Sequence, residues 1–582
     1  MTLHSKHVWA LNVTGCGGIE FLSHYILVQI HPPAYYDSLA QPQSRRIPED
    51  KQLILYAQVK AKIYTPSFQL FRMDSVKAAL PFVVASIAGL IIFFPAVLRY
   101  LVVRYRLRNF KGPRGLPIIG NVLQFGPDNV SFLKAFMENA EIYRENGSFL
   151  VYFGFTPIVV VYNAVDLERI LRNVKHDEKG YFYKLSAPWL KDGLLLSKGS
   201  KWITRRKLLT PSFHFSILKK FLVILNEQAQ CLTDKICESE DKPSVNLPSL
   251  LSLCSLDIMC ETIMGRRLGA QSGESCEYVE ALHRIGAIIN ERSRKPWYNN
   301  NFIYGLSPLG KKQDECLKIL HGTTKQVIND RNFEIQIEGS RDVTIDDKSR
   351  EVRKRRRLAF LDLLIEVQKQ DPSFTDEGIQ EEVDTFMFEG HDTVAASLTM
   401  ALYLIGRHPK VQAKVQEELE RVFGDDRERF VTSDNLQELE YLSCVMKESQ
   451  RLLTPVPFVG RDLAEDTRIG GIEIPKGTNI LMSLIMLHRD PKQFPEPEKF
   501  DPDRFLPANS EGRHNFAYLP FSAGHRNCIG QKFAVMEQKV ILATVLRKFE
   551  ISSLQTLDEL KLSSELVLRA VDGVQVKFTQ RP

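Results

Sequence analysis

The stretch from Ala78 to Leu98, which reads AALPFVVASIAGLIIFFPAVL, constrains this chain more than any other feature because it carries no charge. Its length is close to the ~20 residues with which an α-helix spans a bilayer. Within lipid every backbone N–H and C=O must be satisfied internally, so a single apolar run there has to be a helix. A buried helix of a globular core is the alternative. Lys77 precedes the run, and the positive-inside rule places its other end in the cytosol because basic residues follow it, namely Arg99, Arg104, Arg106, Arg108, Lys111 and Arg114.

The chain before this run is harder to interpret. Residues 1–72 lack the charged, apolar and small-residue regions of a cleavable signal. Met73 opens MDSVKAALPFVV, which is typical of the start of a membrane-anchored protein, so we expect the working chain to begin there. The sequence predicts three parts: an N-terminal extension of unknown role (1–72), a membrane anchor with a basic linker (73–110) and one large domain (111–582).

Composition excludes several classes of protein. Hydrophobic residues make up 44% of the chain and charged residues 25%, as in globular rather than disordered proteins. The net charge of +6 is mild, and no basic stripe interleaved with aromatic residues indicates nucleic-acid binding. The nine cysteines lack paired spacing, which favours a reducing compartment over a disulfide framework.

Hydrophobic periodicity predicts a mainly α fold with a smaller β portion (α+β). FLVYFGFTPIVVVYN, residues 149–163, indicates two strands around a turn at Thr156–Pro157. Helical periodicity dominates from about residue 165 to 455, with breaks at short intervals. Near the C-terminus, LVLRAVDGVQVKFTQ has the hairpin pattern again, with Asp572–Gly573 as its turn.

A single cysteine stands in the glycine-rich loop FSAGHRNCIG, residues 521–530. Phe521, Gly524, Arg526, Cys528 and Gly530 give the spacing F-x-x-G-x-R-x-C-x-G. No second cysteine lies two or three residues away and no histidine follows at zinc-finger spacing, which argues against a zinc site or a redox pair. One thiolate alone can be the axial ligand of a haem iron.

Three further motifs accompany this loop. KESQR places Glu448 and Arg451 three residues apart on one helical face. FDPDRF supplies Arg504, and KWITRRK places Trp202 and Arg206 at i and i+4. Together with the cysteine loop, these motifs closely resemble the cytochrome P450 family, the haem-thiolate monooxygenases, from about residue 111 to the C-terminus. The resemblance implies the cytochrome P450 fold with an N-terminal transmembrane anchor, so that residues 111–582 are a haem-thiolate catalytic domain.

The resemblance implies roles for these residues around a haem b. Cys528 is expected to be the thiolate ligand of the iron, to which it donates electron density that favours O–O cleavage. Small neighbours let backbone N–H groups approach the sulfur. The residues expected to hold the haem propionates are Trp202, Arg206, Arg461 and Arg526. The residues expected to form a buried ionic triad near the haem are Glu448, Arg451 and Arg504.

A second, narrower resemblance concerns EEVDTFMFEGHDTVAAS, residues 381–397, and RRRLAFLDLLIE. Both look like the fatty-acid ω-hydroxylase branch, the fourth cytochrome P450 family. Glu389, Asp392 and Thr393 fall at i, i+3 and i+4, so we expect all three on one face of a helix. The resemblance implies that this helix crosses the distal face of the haem, that Asp392 and Thr393 deliver protons, and that Glu389 forms an ester with a haem methyl.

Two positions depart from the family pattern. His525 stands where proline is usual, and we interpret it as peripheral to the iron. Val394 follows Thr393 where a second hydroxyl is usual, which puts the efficiency of proton delivery in question but not the reaction class.

The predicted function is that of a membrane-bound monooxygenase of the endoplasmic reticulum, with its catalytic domain facing the cytosol. It would oxidise fatty acids or related lipids at the chain end, using NADPH through a separate cytochrome P450 reductase, with cytochrome b5 as a further partner. No G-x-G-x-x-G fingerprint follows a strand, so the reductase is expected to be another chain.

Three alternatives remain open. The enzyme could act on terpenoid hormones or foreign compounds. It could be a haem-thiolate isomerase or dehydratase that needs no reductase, although such enzymes need no Asp–Thr relay. It could also be a non-catalytic haem-binding protein, which loss of the thiolate or relay would indicate; neither is lost.

Overall fold

The computed structural model describes residues 97–98, 100–239, 242–273, 276–340, 360–371 and 373–582. The chain divides into two compact units, Met1–Leu90 and Ile91–Pro582, and every described residue belongs to the second. The predicted N-terminal extension, the start at Met73 and the apolar run up to residue 96 lie outside the described residues. Among those described, no single helix combines the length and apolarity needed to cross a membrane, although the bent pair Gly199–Phe213 and Phe215–Cys237 does so by length and composition together.

Helices dominate the described residues, as the sequence predicts. In chain order they are α1 (Asn129–Ile142), α2 (Ala164–Arg172), α3 (Tyr181–Lys184), α4 (Ala187–Leu190), α5 (Gly199–Leu209), α6 (Phe215–Cys237), α7 (Leu247–Thr262), α8 (Cys276–Ser293), α9 (Asn301–Leu306), α10 (Pro308–Ser340), α11 (Phe360–Gln370), α12 (Asp376–Arg407), α13 (Pro409–Phe423), α14 (Asn435–Glu438), α15 (Glu440–Leu452), α16 (Leu484–Leu487), α17 (Pro507–Ser510) and α18 (Gln531–Lys548).

The strands form four small sheets. They are β1 (Ser148–Phe153), β2 (Thr156–Val161), β3 (Val245–Asn246), β4 (Phe458–Asp462), β5 (Thr467–Ile469), β6 (Ile472–Ile474), β7 (Asn479–Ser483), β8 (Phe549–Ser553), β9 (Leu562–Ser564), β10 (Leu568–Ala570) and β11 (Gln575–Gln580). The sheet orders are β1-β2-β7-β4, β3-β11-β8, β9-β10 and β5-β6. The mainly α fold with a smaller β portion is therefore confirmed.

The first predicted hairpin is present with a shifted turn. Strands β1 and β2 pair antiparallel, and Phe153 lies opposite Thr156. The turn is therefore formed by Gly154 and Phe155 rather than by Thr156–Pro157. Gly154 has a positive φ of 62°, which a residue with a side chain rarely adopts, so the glycine determines where the chain reverses.

The prediction of a second hairpin near the C-terminus is wrong. Asp572–Gly573 does make a turn, in which Gly573 N–H donates to the Ala570 carbonyl at 3.0 Å. The strands on its two sides do not pair with each other, because β10 pairs with β9 whereas β11 pairs with β8 and β3. A local alternation of residues predicts strands, but it does not predict which partner each strand finds.

Helix α12 runs through the middle of the domain and positions the site. Its N-terminus is capped by Thr375, whose hydroxyl accepts a hydrogen bond from Gly378 N–H at 3.2 Å. The helix ends before His408, and Pro409 begins the next helix. Most of its side chains are buried on all sides. It packs closely along α7, and a Cβ built on Gly390 would lie 1.4 Å from the Met259 methyl, so a larger residue would force that contact apart.

Candidate active site

The cysteine loop is held in one shape by its backbone. Cys528 N–H donates to the Phe521 carbonyl at 3.0 Å, which closes the loop just before α18 begins. Gly524 has φ +73°, and a Cβ on it would lie 2.0 Å from the Leu171 carbonyl oxygen. Only glycine satisfies both conditions. The glycine spacing seen in the sequence thus has a geometric cause.

Cys528 faces a cavity between its own loop and α12. We call this space, which contains about 1320 Å³ including its opening to solvent, the thiol cavity. Eight of the residues singled out from the sequence line it, namely Trp202, Arg206, Glu389, Thr393, Phe521, Arg526, Cys528 and Gly530. Cys528 is an exposed residue, and the space that it lines is this cavity.

Four cations gather at one side of the thiol cavity, and none has a carboxylate within 4.0 Å among the described residues. Arg526 donates to the carbonyls of Ser197 and Leu195 at 2.7 and 2.8 Å. Arg206 donates to the carbonyl and the side-chain oxygen of Asn527, both at 2.8 Å.

The other two cations, Arg461 and Lys179, are also buried. Arg461, 2% exposed, donates to the Gly460 carbonyl at 2.8 Å. Lys179, 9% exposed, lies 4.7 Å from the ring centre of Tyr183. Arg461 is outside the cavity lining, whereas Lys179 lines the cavity and was not predicted from the sequence. A lone lysine in DEKG carries no signal that separates it from a surface residue.

Burial disfavours the charged form of these groups. It lowers the pKa of Arg526 to about 10, with Arg461 as the next cause. It also lowers the pKa of Lys179 well below its ordinary value, with Arg461 and Arg526 as further causes. None of the four cations has a carboxylate within 4.0 Å among the described residues. Buried cations without counter-ions are costly, so the site is built to receive an anionic group.

The residues present fit a haem. A thiol faces one cavity, cations without counter-ions stand at its side to match two propionates, and Trp202 stacks against the Arg526 guanidinium at 4.6 Å from the ring centre. In the protein matrix alone, burial raises the pKa of the Cys528 thiol to about 11, and the Glu389 carboxylate is the second cause. A bound metal cation would lower the pKa of this thiol instead, because a thiol that coordinates a metal is deprotonated.

Glu389 and Thr393 stand across the thiol cavity from the cysteine loop. Burial raises the pKa of Glu389, whereas Lys179, Arg526 and Arg206 lower it. The Thr393 hydroxyl donates to the Glu389 carbonyl at 2.9 Å. Both residues also line a second space of about 1010 Å³ including its opening, which we call the apolar chamber. The next residue of α12, Val394, adds an apolar wall to the thiol cavity.

Asp392 differs from the expectation that it shares this face. It is 1% exposed, lines neither the thiol cavity nor the apolar chamber, and forms an ion pair with Arg569 of β10. Residues three apart on a helix differ by about 60° in direction, which is enough to turn Asp392 away. Arg569 was not predicted, because it lies 177 residues further along the chain.

The predicted ionic triad comes together, at a distance from the cavity lining. Arg451 Nε and Nη2 donate to the two oxygens of Glu448 at 2.7 and 2.8 Å. Arg504 Nε lies 3.4 Å from Glu448 Oε1. Glu448 and Arg451 are fully buried, and Asp501 N–H also donates to Glu448 at 2.9 Å.

His525 lies outside the cavity lining. Its ring packs edge-on against Trp202 with the centres 5.4 Å apart, and neither ring nitrogen has a hydrogen-bond partner among the described residues. Burial lowers its pKa, and the nearby Arg461 and Arg526 add to the effect.

Comparison with known proteins gives one consistent result. A family model described as Cytochrome P450 matches residues 110–578. Cytochrome P450 4V2 of Mus musculus is 43% identical over 501 residues, which cover 85% of this chain and 95% of that protein. Cytochrome P450 4c3 of Drosophila melanogaster is 42% identical over 488 residues, with 83% and 91% covered. Cytochrome P450 4V2 of Homo sapiens is 44% identical over 469 residues, with 80% and 89% covered.

Proposed function

Because the chain belongs to the cytochrome P450 family, among relatives of its fourth family, we propose that it hydroxylates fatty acids or related lipids at or near the chain end. The enzyme class, a monooxygenase that carries haem iron, follows from the family. The reaction consumes one O2, one NADPH and one proton for each C–H converted to C–OH, and releases water. Our proposal concerns four further points. They are the substrate, the source of electrons, the roles of individual residues and the attachment to a membrane.

We assign the haem to the thiol cavity. Bound there, its iron supplies the activation of O2 that no side chain can perform. Cys528 is the ligand to the iron, and the propionates are held by Trp202, Arg206, Arg461 and Arg526, together with Lys179. The support is that a thiol and counter-ion-free cations lie around one cavity.

The apolar chamber carries the substrate proposal. It shares Tyr183, Leu195, Glu389, Thr393 and Val456 with the thiol cavity, so the two spaces adjoin. Its wall is mostly aromatic and aliphatic, and among its described lining residues none is lysine or arginine. The acids among its described lining residues are Glu389 and Glu565. An alkyl chain is therefore favoured inside, whereas a carboxylate finds no cation among the described lining residues and would remain at the entrance.

This arrangement favours oxidation at the chain end. A terminal methyl is intrinsically harder to attack than a methylene, so selectivity has to come from positioning. A chain that enters with its apolar end first presents the terminal carbons to the face of the cavity where Thr393 lies. Thr393 and Asp392 are the proposed proton-delivery residues.

Glu389 is the proposed attachment point of the haem. The ester would replace one C–H bond of a haem methyl by a C–O bond to the carboxylate, and the two electrons removed would pass to O2 during the enzyme's own turnover. The support is that Glu389 lines the cavity, and that its burial disfavours the free carboxylate. After turnover, acidified organic solvent should leave the haem on the protein, and complete extraction of the haem would exclude the ester.

Exposed apolar residues support the membrane proposal, with the protein on the endoplasmic reticulum and its catalytic domain facing the cytosol. The apolar surface patch consists of Leu116, Ile118, Leu123, Phe155, Trp297, Phe302, Ile303 and Leu306, each 49% exposed or more. The turn that carries Phe155 adjoins the segment that carries Trp297, because a Cβ on Gly154 would lie 2.9 Å from Pro296 Cβ. Exposed apolar residues grouped in this way mark a membrane or protein contact.

Exposed lysines support a separate NADPH–cytochrome P450 reductase, with cytochrome b5 as a further donor. Lys207 is exposed on α5, the helix that also contains Arg206. Lys532 is exposed on α18, the helix that begins just after Cys528. An acidic redox partner would be attracted to this side by charge complementarity.

Turnover by the full-length, haem-loaded protein in lipid vesicles tests the substrate class. It would be mixed with reductase, NADPH and saturated fatty acids from octanoic to eicosanoic acid, with the alkane of each length as the matched probe. We expect the acids to be hydroxylated and product yield to pass through an optimum length. NADPH consumption without a fatty-acid product, in a protein whose carbon-monoxide spectrum is that of a thiolate-bound haem, would leave the enzyme class in place and exclude the substrate.

A further inference from the structure

Asp392 and Thr393 are not hydrogen bonded to each other in the described structure. The Thr393 hydroxyl donates to the Glu389 carbonyl, whereas Asp392 Oδ1 accepts from Arg569 Nη2. Asp392 is thus engaged by a cation on another element. A proton relay that uses Asp392 needs a way to release it from this ion pair.

Arg569 has a second carboxylate within reach. Its Nε lies 3.4 Å from Oε2 of Glu565, four residues earlier in the β9–β10 segment, and has no hydrogen-bond partner among the described residues. Arg569 is 17% exposed and Glu565 12%, so water screens the three groups only weakly. The Arg569 guanidinium therefore lies between two acids. It donates a hydrogen bond to Asp392 but not to Glu565.

Glu565 faces the apolar chamber and Asp392 does not. The chamber lining includes Glu565 and Thr393, so the same space reaches both the outer acid and the hydroxyl. A Cβ on Gly286 of α8 would lie 3.2 Å from Glu565 Oε2, so α8 closes the other side of this acid. Glu565 is the one of the two acids that water in the chamber can protonate.

The charges around Glu565 come from three elements. Arg569 of its own segment and Asp392 of α12 act on it directly, and the Ser563 hydroxyl lies 3.5 Å from Oε1. His283 of α8 and His391 of α12 lie beyond them, and Arg569 and Asp392 influence both. Helix α1, which packs against β9, presents Phe132 to the chamber.

The protonation states of these groups suit a proton transfer. Burial raises the pKa of Glu565 to about 7, with Arg569 opposing the shift and Asp392 adding to it. Burial lowers the pKa of His283 to about 4 and also lowers that of His391, so both imidazoles are neutral at pH 7. When Glu565 is protonated, the cluster holds the Arg569–Asp392 ion pair and one carboxylic acid.

We propose that Arg569 exchanges between Asp392 and Glu565, and that Glu565 is the proton donor that loads Asp392. The proton passes from Glu565 to Asp392 while the guanidinium changes partner in the opposite direction. One O–H bond breaks on Glu565 and one forms on Asp392, and the net charge of the three groups stays at zero. Asp392, now neutral and released, can give its proton toward the Thr393 hydroxyl. The inference rests on the proposed proton-delivery roles of Asp392 and Thr393.

A resting-state measurement tests the donor without any substrate. Infrared difference spectra of the ferric, haem-loaded protein between pH 5.5 and 8.5 should show a protonated carboxylic acid that titrates near neutral pH and is missing in Glu565→Gln. An unchanged band in Glu565→Gln would overturn the assignment. This result does not depend on which compound the enzyme oxidises, so it separates the inference from the proposed substrate.

Turnover then tests the exchange, with whichever substrate the enzyme hydroxylates. Glu565→Gln can neither give a proton nor attract Arg569, so we expect the maximal rate to fall about 10-fold and the solvent deuterium isotope effect to rise, with KM within about 2-fold. In Arg569→Gln the ion pair that Glu565 would release is already gone, so adding Glu565→Gln removes only the proton donor and should cost clearly less than the roughly 10-fold that it costs in the wild type. Losses that multiply in the double variant, or an unchanged rate in Glu565→Gln, would contradict the exchange.

Controls separate this role from folding. Arg266 likewise bridges two carboxylates, Asp330 at 3.0 Å and Glu334 at 2.8 Å, and lines neither the thiol cavity nor the apolar chamber. Arg266→Gln and Glu334→Gln should leave rate and isotope effect unchanged. If Arg569→Gln loses haem, Glu565→Asp still tests the inference, because a shorter carboxylic acid should restore most of the rate that Glu565→Gln loses.

Discussion

At the scale of single residues, the site depends on charges that have no partner in the protein. Lys179 is the clearest case, because it is buried, lines the thiol cavity and was not predicted. The ten-residue motif points to Cys528, and the resemblance of residues 381–397 to the fourth cytochrome P450 family points to Glu389 and Thr393. Lys179 belongs to no local pattern, since only the folded chain brings it beside Arg526.

We predict that Lys179→Met weakens haem binding while the fold persists. A charge-assisted hydrogen bond to a propionate is worth about 1.5–3 kcal/mol, so haem should dissociate about 10- to 100-fold faster. Transfer of haem to apomyoglobin measures this rate. Lys175→Met is the matched control, because Lys175 is 66% exposed and paired with Glu465. Equal rates for the two variants would show that Lys179 does not hold the haem.

Glu537 predicts a dependence of stability on pH. This residue of α18 is fully buried, accepts one hydrogen bond from Ser255 at 2.7 Å, and leaves Oε2 without a partner. Burial raises its pKa to about 8, above its ordinary value of 4.5. Its contribution to stability is therefore complete below pH 4.5 and is lost as the pH rises through 8, by at most about 1.4 kcal/mol per pH unit.

The measurement is heat unfolding of the haem-loaded protein at pH 6 and at pH 8.5. The wild-type midpoint should fall more between these values than that of Glu537→Gln, which carries no titratable group. Parallel changes in the two proteins would mean that Glu537 titrates as it does in water.

At the scale of elements, local patterns predict the type of an element better than its partner. Helices in the region 165–455 and the pair β1–β2 are found, because their periodicity is local. The strands at residues 568–570 and 575–580 are present but belong to different sheets. Their partners are β9 on one side and β8 with β3 on the other, which no alternation of residues specifies.

The contact between α15 and the segment around Arg504 predicts a large effect from one substitution. Glu448→Gln would leave two guanidinium groups facing a neutral amide, and breaking such a buried network costs about 3–5 kcal/mol. We expect a lower unfolding midpoint and a low haem content in the purified protein. Glu498→Gln serves as control, since Glu498 pairs with Arg489 but is 64% exposed. A Glu448 variant with normal haem content would contradict the structural role.

At the scale of the whole molecule, the apolar surface patch is the part of the described residues that we propose contacts the membrane. The predicted anchor lies outside the described residues.

We predict that Phe302→Ser with Leu306→Ser reduces the depth at which Trp297 sits in a bilayer. The two residues are 76% and 68% exposed, so the change should not affect the core. Quenching of tryptophan fluorescence by brominated lipids should weaken. Phe333→Ser is the control, because Phe333 is 64% exposed and lies near the far end of α10, about 40 Å along the helix axis. Equal quenching in both variants would mean that the patch faces something other than lipid.

The position of the hydroxyl group in the product tests the central claim most directly. Full-length protein with reductase and NADPH would be given hexadecanoic acid, and the product carbons would be identified by mass spectrometry. Because the described lining of the apolar chamber is mostly aromatic and aliphatic and contains no lysine or arginine, the methyl end should enter first. The account predicts that most product carries its hydroxyl on the terminal carbon or its neighbour. Hydroxyl groups spread along the chain, or placed near the carboxylate, would contradict it.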